Sequence, residues 1–232
     1  MSALTGESTP LVSNQANFDA DFDSEESSKI STSNKKNVIM MVSDGFGPAS
    51  ETMARNYYTY VNKLPFDYQL PLDTILVGSS RTRSSDSFVT DSAAGATAFS
   101  CGMKTYNAAI GVDPKKAPCG TVLESAHLMG YKTGLVVTSR ITHATPASFV
   151  AHVVHRDMEN EIADQIIGNT TIGRTADLLF GGGLCHFLPN SLPHSCRFDN
   201  RNLIQEAVAR GWTVGSDLKS FDWLTPENAQ LP

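Results

Sequence analysis

The sequence has no apolar run near the roughly 20 residues needed to cross a bilayer. Its richest stretches, Val38-Ile39-Met40-Met41-Val42 and Gly134-Leu135-Val136-Val137, are far shorter and suit buried strands. A basic start followed by an apolar segment is also missing, so neither a cleavable signal nor a membrane anchor is visible. Basic residues are scarce: 18 Lys and Arg face 24 Asp and Glu in 232 residues, a net charge of −6. No basic stripe exists to neutralise a phosphate backbone, which argues against a nucleic-acid binder. A site for small anions needs only local positive charge and is untouched by that balance.

Cysteine is sparse too. Cys101, Cys119, Cys185 and Cys196 form no CxxC pair, which argues against a structural zinc knuckle. Two disulfides and four buried thiols are equally allowed. The sequon Asn169-Thr170-Thr171 takes a glycan only in a secretory protein. An apolar share of 41% is enough for a real core.

Residues 1–36 are rich in Ser, Thr, Asn and acids and bury too little to offset chain ordering, so they are expected to be a disordered tail. Regular structure is expected over 37–232. The apolar run at 38–42, followed by a Gly/Pro turn, predicts a buried parallel strand leading into a helix at 48–61. Further strands are expected at 74–77, 133–138 and 176–180, the last running into Gly181-Gly182-Gly183. Helices are expected at 92–101, 120–129, 159–167 and 201–210, with Gly102, Gly130 and Gly211 ending three of them. Residues 218–232 close no recognisable element. Alternating strands and helices give an α/β fold with a mostly parallel sheet flanked by helices.

Three stretches carry chemistry. Asp44, at the carboxyl end of the first expected strand and ahead of Gly45-Phe46-Gly47-Pro48, can reach a cation; capping the following helix is an equal alternative. Ser92 opens a helix of small residues, where exposed amides and the dipole favour an anion. Its surroundings are not the Gly-x-Ser-x-Gly elbow, so activation by a metal replaces a triad base. Taken alone, Ser92 reads more readily as a helix N-cap. After the 133–138 strand come His143, a ligand or a partner for metal-bound water, and Thr145, a hydroxyl for a hard cation. Arg156 offers a planar fork for two phosphate oxygens. His127, His152 and His155 are expected to be structural, and Arg140 fits either role.

Val42-Ser43-Asp44-Gly45-Phe46-Gly47-Pro48, Asp91-Ser92-Ala93-Ala94-Gly95-Ala96-Thr97-Ala98, Lys104-Thr105-Tyr106-Asn107 and His143-Ala144-Thr145-Pro146-Ala147 occur in that order. Together they resemble the alkaline phosphatases, most closely the fungal vacuolar type, from about residue 37 onward. The resemblance implies hydrolysis of small phosphate monoesters through a phosphoserine on Ser92, with two zinc ions and one magnesium. Asp44 would bridge one zinc and the magnesium, Ser92 would bind the same zinc, and Thr145 would bind magnesium. Asp91 would orient Arg156, and Arg156 would clamp the phosphate. His143 stands where members carry Asp or His and tunes magnesium binding. A homodimer and a vacuolar or secretory location are implied in the same way.

Further metal ligands of the family lie in a second half. Only His186 and His194 follow as histidines after Arg156, and neither sits in the expected Asp-x-x-x-His or Asp-His pair. The chain is therefore expected to be the N-terminal part of such an enzyme, incomplete at its C-terminus. The competing expectation is a non-catalytic chain that binds phosphate or a partner without turnover. A sulfatase or phosphodiesterase of the wider superfamily is a weaker third, since Asp-Ser-Ala-Ala points to monoesters.

Overall fold

The computed structural model describes residues 36–225. The expected tail lies outside them, apart from Lys36. The chain divides into two units, Met1–Val42 and Ser43–Pro232. In the first, residues 36–42 form neither helix nor strand, and the side chains of Val38, Ile39 and Met41 are exposed. The strand expected at 38–42 is therefore not formed. An apolar run becomes a buried strand only when neighbours hydrogen-bond its edges and cover its faces.

The second unit opens with α1 (Pro48–Val61), where Pro48 sits in the first turn and so sacrifices no helical hydrogen bond. Its N-cap is Gly47, with no side-chain cap, which removes the reading of Asp44 as the capping residue. A short α2 (Pro71–Thr74) occupies the start of the region expected to be a strand at 74–77. Asp73 accepts from the Leu70 amide (2.7 Å) and from Arg55 Nε (2.7 Å), closing a helical turn there. Ile75, Leu76 and Val77 follow, exposed and irregular.

Helix α3 (Ser92–Cys101) has the expected bounds. Asp91 caps its start, and Gly102 at φ 68° ends it in the left-handed conformation that glycine adopts without a Cβ clash. Its small residues have a packing purpose. Ala93, Ala94 and Ala96 are buried, letting α3 lie close to α5 (Ala144–Ala147). Ser100 Oγ donates to the Ser148 carbonyl across that contact (2.6 Å), and Thr97 Oγ1 donates to the Ala109 carbonyl (3.1 Å).

Helix α4 (Val122–Leu128) carries a capping box: Thr121 Oγ1 accepts from the Glu124 amide, and Glu124 Oε2 accepts from the Thr121 amide. Strand β1 (Gly134–Arg140) pairs in parallel with β2 (Leu178–Gly182), in register from Gly134 opposite Leu178, with a shift after Val136. The crossover between them contains α5 and α6 (Glu159–Ile166), as a parallel pair requires. A 3-10 turn (Leu184–Phe187), α7 (Leu203–Ala209) and α8 (Leu218–Asp222) complete the order; α8 falls where no element was expected. This is the expected α/β architecture, with two parallel strands among the described residues.

The core gathers Ile110, Leu123, Ile141, Val150, Ile162, Ile166 and Leu203 around the buried alanines of α3 and α5. All four cysteines are paired, Cys101 with Cys119 and Cys185 with Cys196. Among the described residues no helix is long and apolar enough to cross a membrane.

Candidate active site

Ser92 is the first residue of α3, not its cap. The cap is Asp91, whose Oδ1 accepts from the Ala94 amide at 2.9 Å. That bond satisfies one of the free amides at the helix start. Among the described residues the Ser92 and Ala93 amides have no protein acceptor, so the positive end of α3 is left for an anion. The other Asp91 oxygen, Oδ2, accepts from the Ala108 amide (2.9 Å) and from Arg156 Nη1 (3.1 Å). Asn107 fixes the approach to α3: its Oδ1 accepts from the Asp91 amide (3.1 Å), and its Nδ2 donates to the Val89 carbonyl (3.0 Å).

Arg156 arrives from a short extended stretch after α5. An antiparallel bridge pairs Val153 with Ile110, and Tyr106 Oη donates to the Val154 carbonyl at 2.9 Å. His152 anchors the start of this stretch. Its Nδ1 meets the Gly111 carbonyl at 2.7 Å and its Nε2 meets Glu124 Oε1 at 2.8 Å. Both partners are acceptors, so both ring nitrogens donate and the ring is an imidazolium. Burial pushes the His152 pKa down, but the bonds to Glu124 and Gly111 outweigh it and the net shift is upward. His152 is thus structural, as expected.

From that base the guanidinium reaches the start of α3. Nη1 donates to Ser92 Oγ at 3.0 Å as well as to Asp91, and Nη2 donates to His143 Nε2 at 3.0 Å. Accepting at Nε2 requires His143 to be neutral with its proton on Nδ1. Burial, then the charges of Arg156 and Arg140, hold its pKa below the ordinary imidazole value, in agreement. His143 occupies the N-cap position of α5 without a side-chain capping bond, and two residues on, Thr145 Oγ1 donates to Asp44 Oδ2 at 3.1 Å.

The structure therefore brings Asp91, Ser92, His143 and Arg156 into one bonded cluster, and it joins Thr145 to Asp44 beside it. Asp44 comes from a turn, with the Phe46 amide donating to the Ser43 carbonyl at 3.2 Å, and not from a strand end. Asn107 and Tyr106 were visible only as parts of a motif; their positioning bonds needed the fold. Glu159, beneath the His143 turn, carried no signal in the sequence beyond its place at a helix start. His155 is exposed and unconnected to the cluster.

As metal donors these residues divide. The Asp44 carboxylate and the Thr145 hydroxyl are hard oxygens in contact and fit the chemistry of magnesium. Zinc favours nitrogen, sulfur and carboxylate donors, about four for each ion. Asp44 and Ser92 offer one carboxylate and one hydroxyl, and His143 Nε2 is turned to Arg156. The described residues do not by themselves fit two zinc ions. Cys185, His186 and Cys196 also cluster, but their sulfurs are spent in a disulfide.

The alkaline phosphatase family model matches residues 35–231. The chain is 56% identical over 207 residues to the repressible alkaline phosphatase of Saccharomyces cerevisiae, covering 85% of this chain and 37% of that one. It is similar to a cold-active alkaline phosphatase from a psychrophilic Shewanella species, with a TM-score of 0.66 and 34% identity over 79% of this chain and 42% of that chain. A variant of the TAB5 alkaline phosphatase with Mg bound in its M3 site gives a TM-score of 0.59 and 37% identity, covering 78% of this chain and 48% of that one. The chain thus spans less than half the length of the proteins it matches.

Proposed function

This chain belongs to the alkaline phosphatase family, and on that premise we propose that it carries the nucleophile and phosphate clamp of a phosphate monoester hydrolase. The observation that supports this most is the 3.0 Å contact between Ser92 Oγ and Arg156 Nη1 at the open N-terminus of α3. A hydroxyl, the guanidinium bonded to it and two amides without a protein acceptor among the described residues meet at this helix start. That is the donor set a tetrahedral oxyanion requires.

In this reading Ser92 Oγ gives up its proton to solvent and attacks phosphorus as the ester P–O bond breaks on the opposite side, the departing oxygen taking a proton from water to leave as the alcohol. Water then cleaves the phosphoserine, releasing inorganic phosphate and restoring the hydroxyl. Arg156 is positioned before substrate arrives. Asp91 holds Nη1 while the contacts to Ser92 and His143 yield to two phosphate oxygens. The neutral His143 accepts from Arg156 without adding positive charge to compete with it. Magnesium would be held by Asp44 and Thr145, with His143 nearby; Asp44 and Ser92 would contribute to one of two zinc sites. Such cations would supply the chemistry of lowering the pKa of a coordinated hydroxyl or water, and among the described residues no base is bonded to Ser92 Oγ. Small phosphate monoesters, a homodimer and a vacuolar or secretory location belong to the same proposal. The two disulfides support an oxidising compartment.

A second reading, phosphate binding without turnover, is favoured by the donor shortage. We expect the 232-residue chain, supplied with zinc and magnesium, to bind inorganic phosphate yet show no zinc-dependent hydrolysis of an aryl phosphate. Turnover abolished by Ser92→Ala would show that the present donors suffice. Failure to bind phosphate at all would remove the functional reading.

A further inference from the structure

Glu159 stands outside the cluster just described, yet it gathers the segments that carry it. It is the first residue of α6, three positions beyond Arg156, and its side chain is 14% exposed. Oε2 accepts from Arg140 Nε (2.8 Å) and Thr142 Oγ1 (2.6 Å), and Oε1 accepts from Arg140 Nη2 (2.8 Å). His186 Nε2 lies 3.1 Å from Oε2. Arg140 ends β1, Thr142 is fully buried directly before His143, and His186 comes from the 3-10 turn after β2. One carboxylate thus ties the ends of both strands to the start of α6.

The group is held as an anion. Burial raises the Glu159 pKa, and the bonds from Arg140 and Thr142 more than reverse that, leaving it below the ordinary carboxyl value. A carboxylate at a helix start also suits the helix dipole. The triglycine loop serves the same junction. A Cβ at Gly183, which has φ +90°, would stand 3.0 Å from Arg140 Cβ and 3.2 Å from Thr142 Oγ1, and one at Gly181 would stand 2.7 Å from Val137 Cγ2. Only bare backbone lets the end of β2 come so close to the residues that Glu159 holds.

We propose that Glu159 is a positioning residue: it locks the turn bearing His143 and Thr145 at a fixed separation from Arg156. Its consequence for phosphate rests on the proposed function; the clamp itself does not. A two-pronged Arg–carboxylate pair reinforced by a hydroxyl has little freedom to slide. The residues it holds flank His143 on one side, and Glu159 follows Arg156 by less than one helical turn on the other. Losing the clamp lets the two halves of the site drift, and a drift of about 1 Å is enough to weaken a convergent site.

The test compares Glu159→Gln in the full chain with Glu206→Gln. The latter removes a carboxylate that holds Arg201 by the same two-pronged pairing, from α7 and with no bond to the cluster. Two quantities are read at a temperature where circular dichroism shows every variant folded: the affinity for inorganic phosphate, and hydrogen–deuterium exchange of a peptide covering 140–147. Glu159→Gln is expected to weaken phosphate binding roughly 10- to 100-fold and to speed exchange in that peptide, whereas Glu206→Gln changes neither. Thr142→Val should reproduce part of the loss and Thr142→Ser should restore it, which keeps the question decidable if Glu159→Gln fails to fold. Unchanged exchange overturns the proposal, and so does faster exchange with wild-type phosphate affinity. If the wild-type chain binds no phosphate, the functional reading fails and exchange alone decides the clamp.

Discussion

Arg156→Ala is expected to weaken the binding of inorganic phosphate by roughly 100-fold or more while leaving the fold intact. Among the described residues the guanidinium is the only cation bonded to Ser92, and protein acceptors there take three of its five hydrogens, two of them by contacts that an anion can replace. Each charge-assisted hydrogen bond contributes about 1.5–3 kcal/mol, so losing two removes about 3 kcal/mol or more, two decades of affinity. Stability should change little, because Asp91 keeps its bonds to the Ala94 and Ala108 amides. Arg156→Lys should recover only part of the affinity, since a point charge cannot make the two-pronged contact. Titration calorimetry with phosphate measures both variants. An alanine variant that binds like wild type would place the phosphate site elsewhere.

Glu124→Ala should have the largest effect on stability, about 3–5 kcal/mol near pH 6 by denaturant titration. The change strands the His152 imidazolium and removes half of the α4 capping box. Glu124→Gln keeps an oxygen for the Thr121 amide and should cost less. The pH dependence follows from the two shifts. The His152 pKa is raised in the folded state, so its contribution is complete below its unfolded value and fades as pH rises through the folded value. Burial raises the Glu124 pKa, but the bonds from His152 and the Thr121 amide bring it below normal, so its contribution fades as pH falls through the folded value. The cost of Glu124→Ala should therefore shrink at alkaline pH, where wild-type His152 has lost the proton that Glu124 holds. A cost that stays constant from pH 6 to alkaline pH would mean the ring is neutral throughout.

Much of this was legible in the sequence, for local reasons. Helix α3 begins and ends where Asp91, Ser92 and Gly102 say it should, because caps and left-handed glycines act within a few residues. Strands β1 and β2 appear within two residues of their expected places, since each apolar run finds the other as a partner. The same apolar signal failed at 38–42 and 74–77. A run of Val, Ile and Met encodes a demand for cover, and the cover has to come from residues distant in sequence. Ser92 looked most like a cap when taken alone; Asp91 holds that place, and the difference leaves the Ser92 hydroxyl free for Arg156. Glu159 could not have been found from the sequence, because its partners at 140, 142 and 186 come together only when both strand ends meet α6. The cysteine pairing, left open by spacing, is decided by which turns the fold brings together.

A crystal of the full chain grown with vanadate, a tetrahedral mimic of phosphate, would test the core of the account most directly. The expected map shows one oxyanion within bonding reach of Ser92 Oγ, with two of its oxygens on Arg156 and the helix-start amides of α3 pointing at it. A vanadate bound elsewhere, with the Ser92–Arg156 contact undisturbed at saturating concentration, would contradict it.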